Sequence, residues 1–381
     1  MEGVAMTVPA GLDRLRGKRF LVTGHTGFKG SWLLLLLDRL GARVTGYALA
    51  PATTPALFTA ARLVDLLQSH VEADIRDTAR LTAVVRAAEP DVVIHLAAQS
   101  LVRHSYREPL ETFSSNVIGT ASLLDAVRKA GRPCALIVAT SDKCYEPHAG
   151  GRPHQETDRL GGDDPYSASK GAAEIVAAAY RRSFFPPARL RHHGVQLATV
   201  RAGNVIGGGD WAADRIVTDM VRHLSVGQAV PLRNPLAVRP WQHVLEPLAG
   251  YLALADAMLA QPREEWCAGW NFGPAAGSDM TVQRLAETFI AAWGGGQWEH
   301  LQDREAPLET DVLRLAIEKS LANLSWMPRL SPVVAIQRTA AWFRAFEANP
   351  TAARSLCTAD IEFYERSGGD TVATSQERGH G

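Results

Sequence analysis

Val22-Thr23-Gly24-His25-Thr26-Gly27-Phe28-Lys29-Gly30 lies between an apolar run, 19–22, and a stretch of helical character, 30–40. That setting decides the fold. A glycine loop between a strand and the helix that follows is the phosphate-binding turn of doubly wound α/β sheets. Gly24 permits the tight turn, Gly27 lets the backbone approach a pyrophosphate, and Gly30 lets helix and strand pack closely. Free N–H groups at the helix start then face the phosphates. Working outward, 43–47, 71–74, 91–96, 135–139 and 196–201 read as strands, and 78–88, 112–129 and 166–182 as helices. Short, near-continuous apolar strands alternating with helices predict a Rossmann-type parallel sheet covered on both faces.

The pattern changes after Val205. Gly207-Gly208-Gly209 and several prolines mark loops, with short helical stretches at 215–223, 245–258 and 281–293. The expected organisation is an N-terminal extension over 1–17 and a dinucleotide-binding Rossmann domain over 18–204. A smaller mixed α/β substrate lobe follows over 205–345, from which the chain can return to the first domain. A C-terminal helix and a polar, disordered tail take up 346–381.

Bulk properties exclude several classes. Of 381 residues 46% are apolar and 21% charged, and the formal net charge is zero. That balance argues against a broad surface for nucleic acid or anionic lipid. The local basic stretch Arg181-Arg182, Arg189, Arg191, His192 and His193 reads as a cationic helix C-terminus and a solvated loop. The leucine run 33–37 ends at Asp38-Arg39, too short to span a bilayer, and 1–17 lacks the pattern of a signal peptide. Cys134, Cys144, Cys267 and Cys357 lack metal-ligand spacing. Reduced thiols, a cytoplasmic location and no bound metal are expected.

Tyr166-Ser167-Ala168-Ser169-Lys170 puts a phenol and an ammonium on one helix face, four residues apart. A nearby ammonium favours phenolate and lowers the phenol pKa. Such a tyrosine can take a proton from a hydroxyl while hydride leaves for a nicotinamide. Ser141 ends the preceding strand as a third member, and Asp142-Lys143 follow it. Lysine acts as a base at neutral pH only if burial or a second cation, such as Lys170, depresses its pKa from about 10.4. The second strand ends Gly46-Tyr47-Ala48-Leu49-Ala50, without a carboxylate for an adenine ribose or an arginine for a 2′-phosphate. The missing arginine leaves NAD as the expected cofactor. Asp74-Ile75 can flank the adenine; a turn or helix-cap role for Asp74 is equally open.

Beyond these motifs the chain resembles the extended short-chain dehydrogenase/reductase superfamily and, within it, the CDP-glucose 4,6-dehydratases. The resemblance covers about 18–345. It is carried by Gly24 to Trp32, Ala97-Ala98-Gln99-Ser100-Leu101-Val102-Arg103, Thr140-Ser141-Asp142-Lys143-Cys144-Tyr145-Glu146, Arg201-Ala202-Gly203-Asn204 on to Trp211, and Arg239-Pro240-Trp241-Gln242-His243-Val244. It implies cofactor contacts from Gly24, Thr26, Gly27, Phe28, Gly30, Asp74, Ile75, Leu96, Ala97, Ala98, Tyr166 and Lys170. Substrate contacts are implied for Gln99, Arg103, Asn204, Arg215 and Arg239, the arginines suiting a diphosphate. For Arg215 an exposed helix position is an equal alternative, and Trp241 reads as packing.

The implied reaction has three steps. Tyr166 removes the C4 hydroxyl proton of a nucleotide-diphosphate sugar as hydride goes to NAD. Asp142 and Lys143 then serve as acid and base in loss of water across C5 and C6. Hydride finally returns to C6. The product class points to deoxysugar biosynthesis of the kind that supplies lipopolysaccharide O-antigens. A homodimer through a four-helix interface, from 112–129 and 166–182 of each subunit, is also implied. Departures from the family pattern fall at Ser100, beside the implied glycosyl site, at Leu308-Glu309 and at Ser325-Trp326, and none removes a catalytic group. Two other readings stay open: a 4-epimerase or reductase, which needs no elimination pair, and a non-catalytic dinucleotide sensor, which would not need Tyr166 and Lys170.

Overall fold

The computed structural model describes residues 12–148, 151–301 and 313–367; Leu308-Glu309 and the polar tail lie outside them. Arg19–Thr23 (β1), Arg43–Ala48 (β2), Ser69–Glu72 (β3), Val92–His95 (β4), Cys134–Ala139 (β5), Val195–Ala202 (β6) and Gly269–Phe272 (β7) form one sheet in the order β7-β6-β5-β4-β1-β2-β3. Every pairing in it is parallel. The order runs outward from β1 on one side and from β4 on the other. The crevice between their C-terminal ends is therefore the topological switch point, where open α/β sheets bind ligands.

Alternate strand residues feed two cores. Leu21, Val93, Leu136 and Leu197 face one layer, with Leu81 and Val85 of Thr78–Ala88 (α2), Leu123 and Val127 of Gly119–Ala130 (α3) and Ala177 of Pro165–Ser183 (α4). Phe20, Val22, Ile94, Ile137 and Val200 face the other, with Trp32, Leu33 and Leu36 of Phe28–Arg39 (α1) and Leu248 and Leu252 of Leu245–Ala260 (α5). A sheet buried on both faces needs the near-continuous apolar strands read from the sequence.

Three elements differ from the sequence reading. β3 begins two residues early, because its register is set by β2, Thr45 opposite Ser69 and Ala48 opposite Glu72. The expected helix 112–129 is broken in kind: Pro109–Phe113 leads into a π-helical turn, Ser114–Ile118, before α3. At that junction Gly119 passes Ile75, whose Cγ2 would lie 2.6 Å from an added Cβ. β7 was not read as a strand. Glycine and asparagine give Gly269-Trp270-Asn271-Phe272 little intrinsic strand preference, and its pairing with β6, Gly269 opposite Thr199, makes it one.

The C-terminal helices Pro332–Ala348 (α6) and Ala353–Arg366 (α7) return to the layer of α1 and α5. Arg39 at the end of α1 donates a two-pronged bond to Glu365, 2.6 Å for each arm. The Trp342 ring lies where a Cβ on Gly208 would stand. Glu246 in α5 is fully buried and ties this return together. Its carboxylate accepts from the Arg329 and Leu330 N–H groups at 2.9 and 2.6 Å and from the Tyr364 hydroxyl at 3.0 Å. The four cysteines are free and buried. Among the described residues no helix is long and apolar enough to cross a membrane.

Burial pushes the Glu246 carboxyl up from 4.5 to about 7 against those hydrogen bonds. The folded chain therefore holds this proton between pH 4.5 and 7 where the unfolded chain has lost it, and its contribution falls as pH rises through that window. Glu246→Gln keeps an acceptor for both N–H groups but cannot ionise. Urea unfolding at pH 5 and pH 8 is expected to show the variant gaining roughly 1–3 kcal/mol on the wild type between the two.

Candidate active site

The glycine loop closes on itself as its sequence requires. Gly24 has φ of +74°, and a Cβ there would sit 2.5 Å from the Ala97 nitrogen. A Cβ on Gly30 would sit 2.3 Å from the Gly24 oxygen and 2.6 Å from His25 Cα, so the close packing at Gly30 is against the loop rather than the strand. On Gly27 it would meet only the Gly24 oxygen, at 3.4 Å. α1 begins at Gly27 without a side-chain cap, which leaves its first N–H groups for an anion. The Thr26 hydroxyl donates to the Leu49 carbonyl at 2.8 Å, fixing the loop to the end of β2. This is the cradle a dinucleotide pyrophosphate needs.

Neighbouring loops complete the crevice. Leu96 and Ala97 follow β4, their N–H groups bonded to the Thr23 carbonyl at 3.0 Å and the Thr23 hydroxyl at 3.4 Å, with Ala98 next in the chain. Phe28 stands beside Gly207. Ile75 is buried against Gly119. Asp74 is set apart at the β3 edge, its carboxylate held by Arg76 in a local turn, whereas Asp77 caps α2 by accepting from the Arg80 N–H. Gln99 is positioned by the π turn: Asn116 exchanges bonds with its backbone at 2.8 and 2.9 Å and also reaches the Ser169 hydroxyl at 2.8 Å.

The catalytic candidates come from two adjacent elements. Asp164 caps α4 at the Ser167 N–H, and the Ser105 hydroxyl accepts from the Tyr166 N–H, so the first turn is held at both sides. Tyr166 and Lys170 are both buried on this helix. Opposite them, the short turn Asp142–Cys144 starts at Ser141, whose hydroxyl accepts from the Lys143 N–H at 3.2 Å and donates to Asp142 Oδ1 at 2.9 Å. Asp142 Oδ2 is buried without a partner. It fits because Gly203 has no side chain: a Cβ there would lie 3.1 Å from it.

Electrostatics follow from burial. Desolvation raises the Asp142 carboxyl above its ordinary value although Lys143, Ser141, Arg239 and Lys29 oppose it. Tyr166 is pushed up to about 12 by desolvation, with Ser141 pulling it back. This is opposite to the lowering expected from Lys170, whose own ammonium burial depresses to about 8. The Lys170 Nζ is turned to the Ala139 carbonyl, 3.5 Å away. Lys143, the expected base, is half-buried.

Three features escaped the sequence reading. Lys29, inside the glycine loop, has its ammonium depressed to about 8 by desolvation and then by Lys170 and Arg215. Its place one residue before Gly30 was the available signal. His25 lies under β2: its ring fills the space a Cβ on Gly46 would take, and its Nε2 meets His70 Nδ1 at 2.8 Å. Burial and His70 lower it to about 4, so it is neutral. Glu174 continues the Tyr166–Lys170 stripe by one more turn and pairs with Arg201 at 2.7 Å.

Of the substrate candidates, Arg215 is bonded to Asp210 at 2.7 Å and the Ser100 hydroxyl at 3.1 Å, and it reaches the cleft electrostatically. Arg239 is buried and acts on Asp142. The Asn204 carbonyl accepts from the Gln242 N–H at 3.1 Å, and Arg103 is half-buried on the helix Val102–Arg107. Trp241 is buried in the core.

A crevice with a pyrophosphate cradle beside a buried tyrosine and lysine defines a dinucleotide-dependent dehydrogenase-type site. The chain belongs to the NAD dependent epimerase/dehydratase family, whose model matches residues 20–269. It is 46% identical to the CDP-glucose 4,6-dehydratase of Salmonella typhimurium, over 87% of this chain and 92% of that protein. It is 30% identical to a dTDP-glucose 4,6-dehydratase of Streptomyces antibioticus, over 85% and 92%. Among solved structures it matches a double mutant of DesIV, a dTDP-glucose 4,6-dehydratase from Streptomyces venezuelae with NAD and DAU bound. That match has TM-score 0.72 and 25% identity, over 87% of this chain and 98% of the other.

Gly30→Ala is expected to force the loop open, since the added methyl overlaps the Gly24 carbonyl. Calorimetric titration should show loss of dinucleotide binding while the sheet still unfolds cooperatively; unchanged binding would refute the cradle.

Proposed function

We propose that this chain is an NAD-dependent CDP-glucose 4,6-dehydratase, a hydro-lyase that forms CDP-4-keto-6-deoxyglucose and water. The observation that carries the reading is Asp142, a buried carboxylic acid beside Ser141 and Tyr166 whose protonated form burial favours. A 4-epimerase needs the tyrosine and lysine but has no use for a neutral acid. Bound NAD supplies a hydride acceptor for C4 and, once reduced, a donor for C6.

In this reading the chain's own groups manage protons and charge. Tyr166 takes the C4 hydroxyl proton, with Ser141 bonded to the phenol and Lys170 fixing the electrostatics of the helix face. Asp142 protonates the departing C6 hydroxyl and Lys143 takes the C5 proton. Lys29, Arg215 and Arg239 make the cleft cationic for a diphosphate, and Gln99, Arg103 and Asn204 line its approach. Gly24, Thr26, Gly27, Phe28 and Gly30 cradle the cofactor, with Ile75, Leu96, Ala97 and Ala98 on its flank and Asp74 at the outer edge.

The chain is further assigned to two domains, 18–204 for the cofactor and 205–345 mainly for the sugar nucleotide, and to the cytoplasm. A homodimer through α4 and the helical run 109–130 accounts for exposed apolar residues there, Leu110 at 83% and Ile118 and Ile175 at 56% each. The product suits deoxysugar biosynthesis for surface polysaccharides.

Substrate deuterated at C4 is expected to give product with deuterium at C6 using catalytic NAD. Solvent hydrogen at C6, or a need for stoichiometric NAD, would instead identify a simple 4-dehydrogenase. Asp142→Asn should still oxidise C4 and accumulate a reduced-nicotinamide absorbance with substrate, because a carboxamide cannot protonate the departing C6 hydroxyl. Tyr166→Phe should lower turnover by about 10²–10⁴-fold with NAD binding retained; normal turnover in either variant would remove that residue from its role.

A further inference from the structure

The excursion between the Asp142–Cys144 turn and α4 carries an unassigned cluster. Ligating atoms of His148, His154 and Asp158 all lie within 4.8 Å of one another. His154 is 4% exposed, and its Nδ1 is buried with no hydrogen-bond partner. That nitrogen lies 3.4 Å from Asp158 Oδ2. Both ring nitrogens of half-buried His148 are likewise buried and unpartnered, and the two imidazole centroids are 4.2 Å apart. Buried polar atoms are almost always satisfied, so three orphan imidazole nitrogens beside one carboxylate mark a missing partner.

The chemistry of the set identifies the partner. Neutral imidazoles and a carboxylate suit a borderline divalent ion such as zinc better than magnesium or calcium, which prefer all-oxygen shells. Arg152 and the Gln155 N–H occupy three of the acceptor positions of Asp158, at 2.8, 2.9 and 3.0 Å. A carboxylate has about four such positions, so one is left for the ion.

We propose that His148, His154 and Asp158 bind one divalent transition-metal ion that clips this excursion against the active site. The clip acts through His154. Its ring stacks on Tyr145 with centroids 4.7 Å apart and planes 6° apart. Its carbonyl accepts from Asn271 at 2.9 Å. Tyr145 in turn follows Lys143 by two residues and bonds Asn271 and Arg201. The three protein ligands lie on one short segment, water completes a four-coordinate shell, and none of the three is among the groups assigned to the reaction.

The test uses the full chain, stripped with a chelator and titrated with zinc against a competing chromophoric chelator, with melting followed in parallel. One tightly bound zinc per chain and a raised melting temperature are expected. Both should be lost in His148→Gln and in Asp158→Asn, where partly exposed side chains change and the fold is retained, as well as in His154→Ala. Two results would overturn the site: no zinc bound at equimolar concentration, which leaves water as the partner of the imidazoles, or binding that survives His148→Gln with His154→Ala and is abolished at His192-His193.

Discussion

The active site hangs on one buried ion pair. Arg201 in β6 donates to both oxygens of Glu174 in α4, at 2.7 and 2.9 Å, and each side chain is at most 5% exposed. Thr140 and Thr199 add hydroxyl donors to the same carboxylate at 2.6 and 2.7 Å. A second arm of Arg201 reaches the Tyr145 hydroxyl at 2.7 Å and the Glu156 carbonyl at 3.0 Å. The pair therefore joins the ends of β5 and β6, the helix that carries Tyr166 and Lys170, and the turn that carries Asp142 and Lys143. Burial alone would raise Glu174 and lower Arg201, but each holds the other charged. A pair of this kind contributes little net stability, yet losing one partner costs about 3–5 kcal/mol. Its use here is to fix the separation of the two elements that carry the candidate catalytic groups.

The cleft beside it combines one buried carboxyl, whose proton burial favours, with a surplus of cationic groups. Lys29, Lys170, Arg215 and Arg239 act on Asp142, on Tyr166 or on one another across it. In the free chain this is unfavourable: two ammonium groups are depressed, and one carboxylate oxygen has no partner. A diphosphate would relieve the cationic repulsion, and a hydroxyl beside Asp142 would take up the orphan oxygen. The site is poised for ligands at the expense of its own hydrogen bonding, as functional sites commonly are.

Much of this was legible in the chain because it depends on local rules. The glycine spacing, the i,i+4 tyrosine and lysine and the apolar strands announce the sheet and its crevice. What was hidden depends on contacts across the sequence. β7 owes its strand to β6, and the π turn at Ser114–Ile118 is set by Asn116 reaching Gln99 and Ser169. The phenol pKa moved opposite to expectation because desolvation of the phenol itself, which no local spacing reveals, is the largest influence on it. Lys29 and Glu174 stood within or beside motifs already singled out. Only the fold shows that the first lies in the cleft and the second anchors the helix.

The return of β7 to the sheet edge bears on how such chains can be recombined. The chain after β6 is not an appendage joined by a single linker. It leaves the sheet after β6, sends Gly269–Phe272 back to lie beside it, and places Asn271 in the Tyr145–Arg201 network. A chimera that exchanged everything after residue 204 between relatives would also replace a strand of the receiving sheet and one partner of its catalytic turn. A working crossover has to keep β6, β7 and Tyr145 from one parent, and with them α5, which covers one face of the sheet and whose Glu246 holds the C-terminal helices in place.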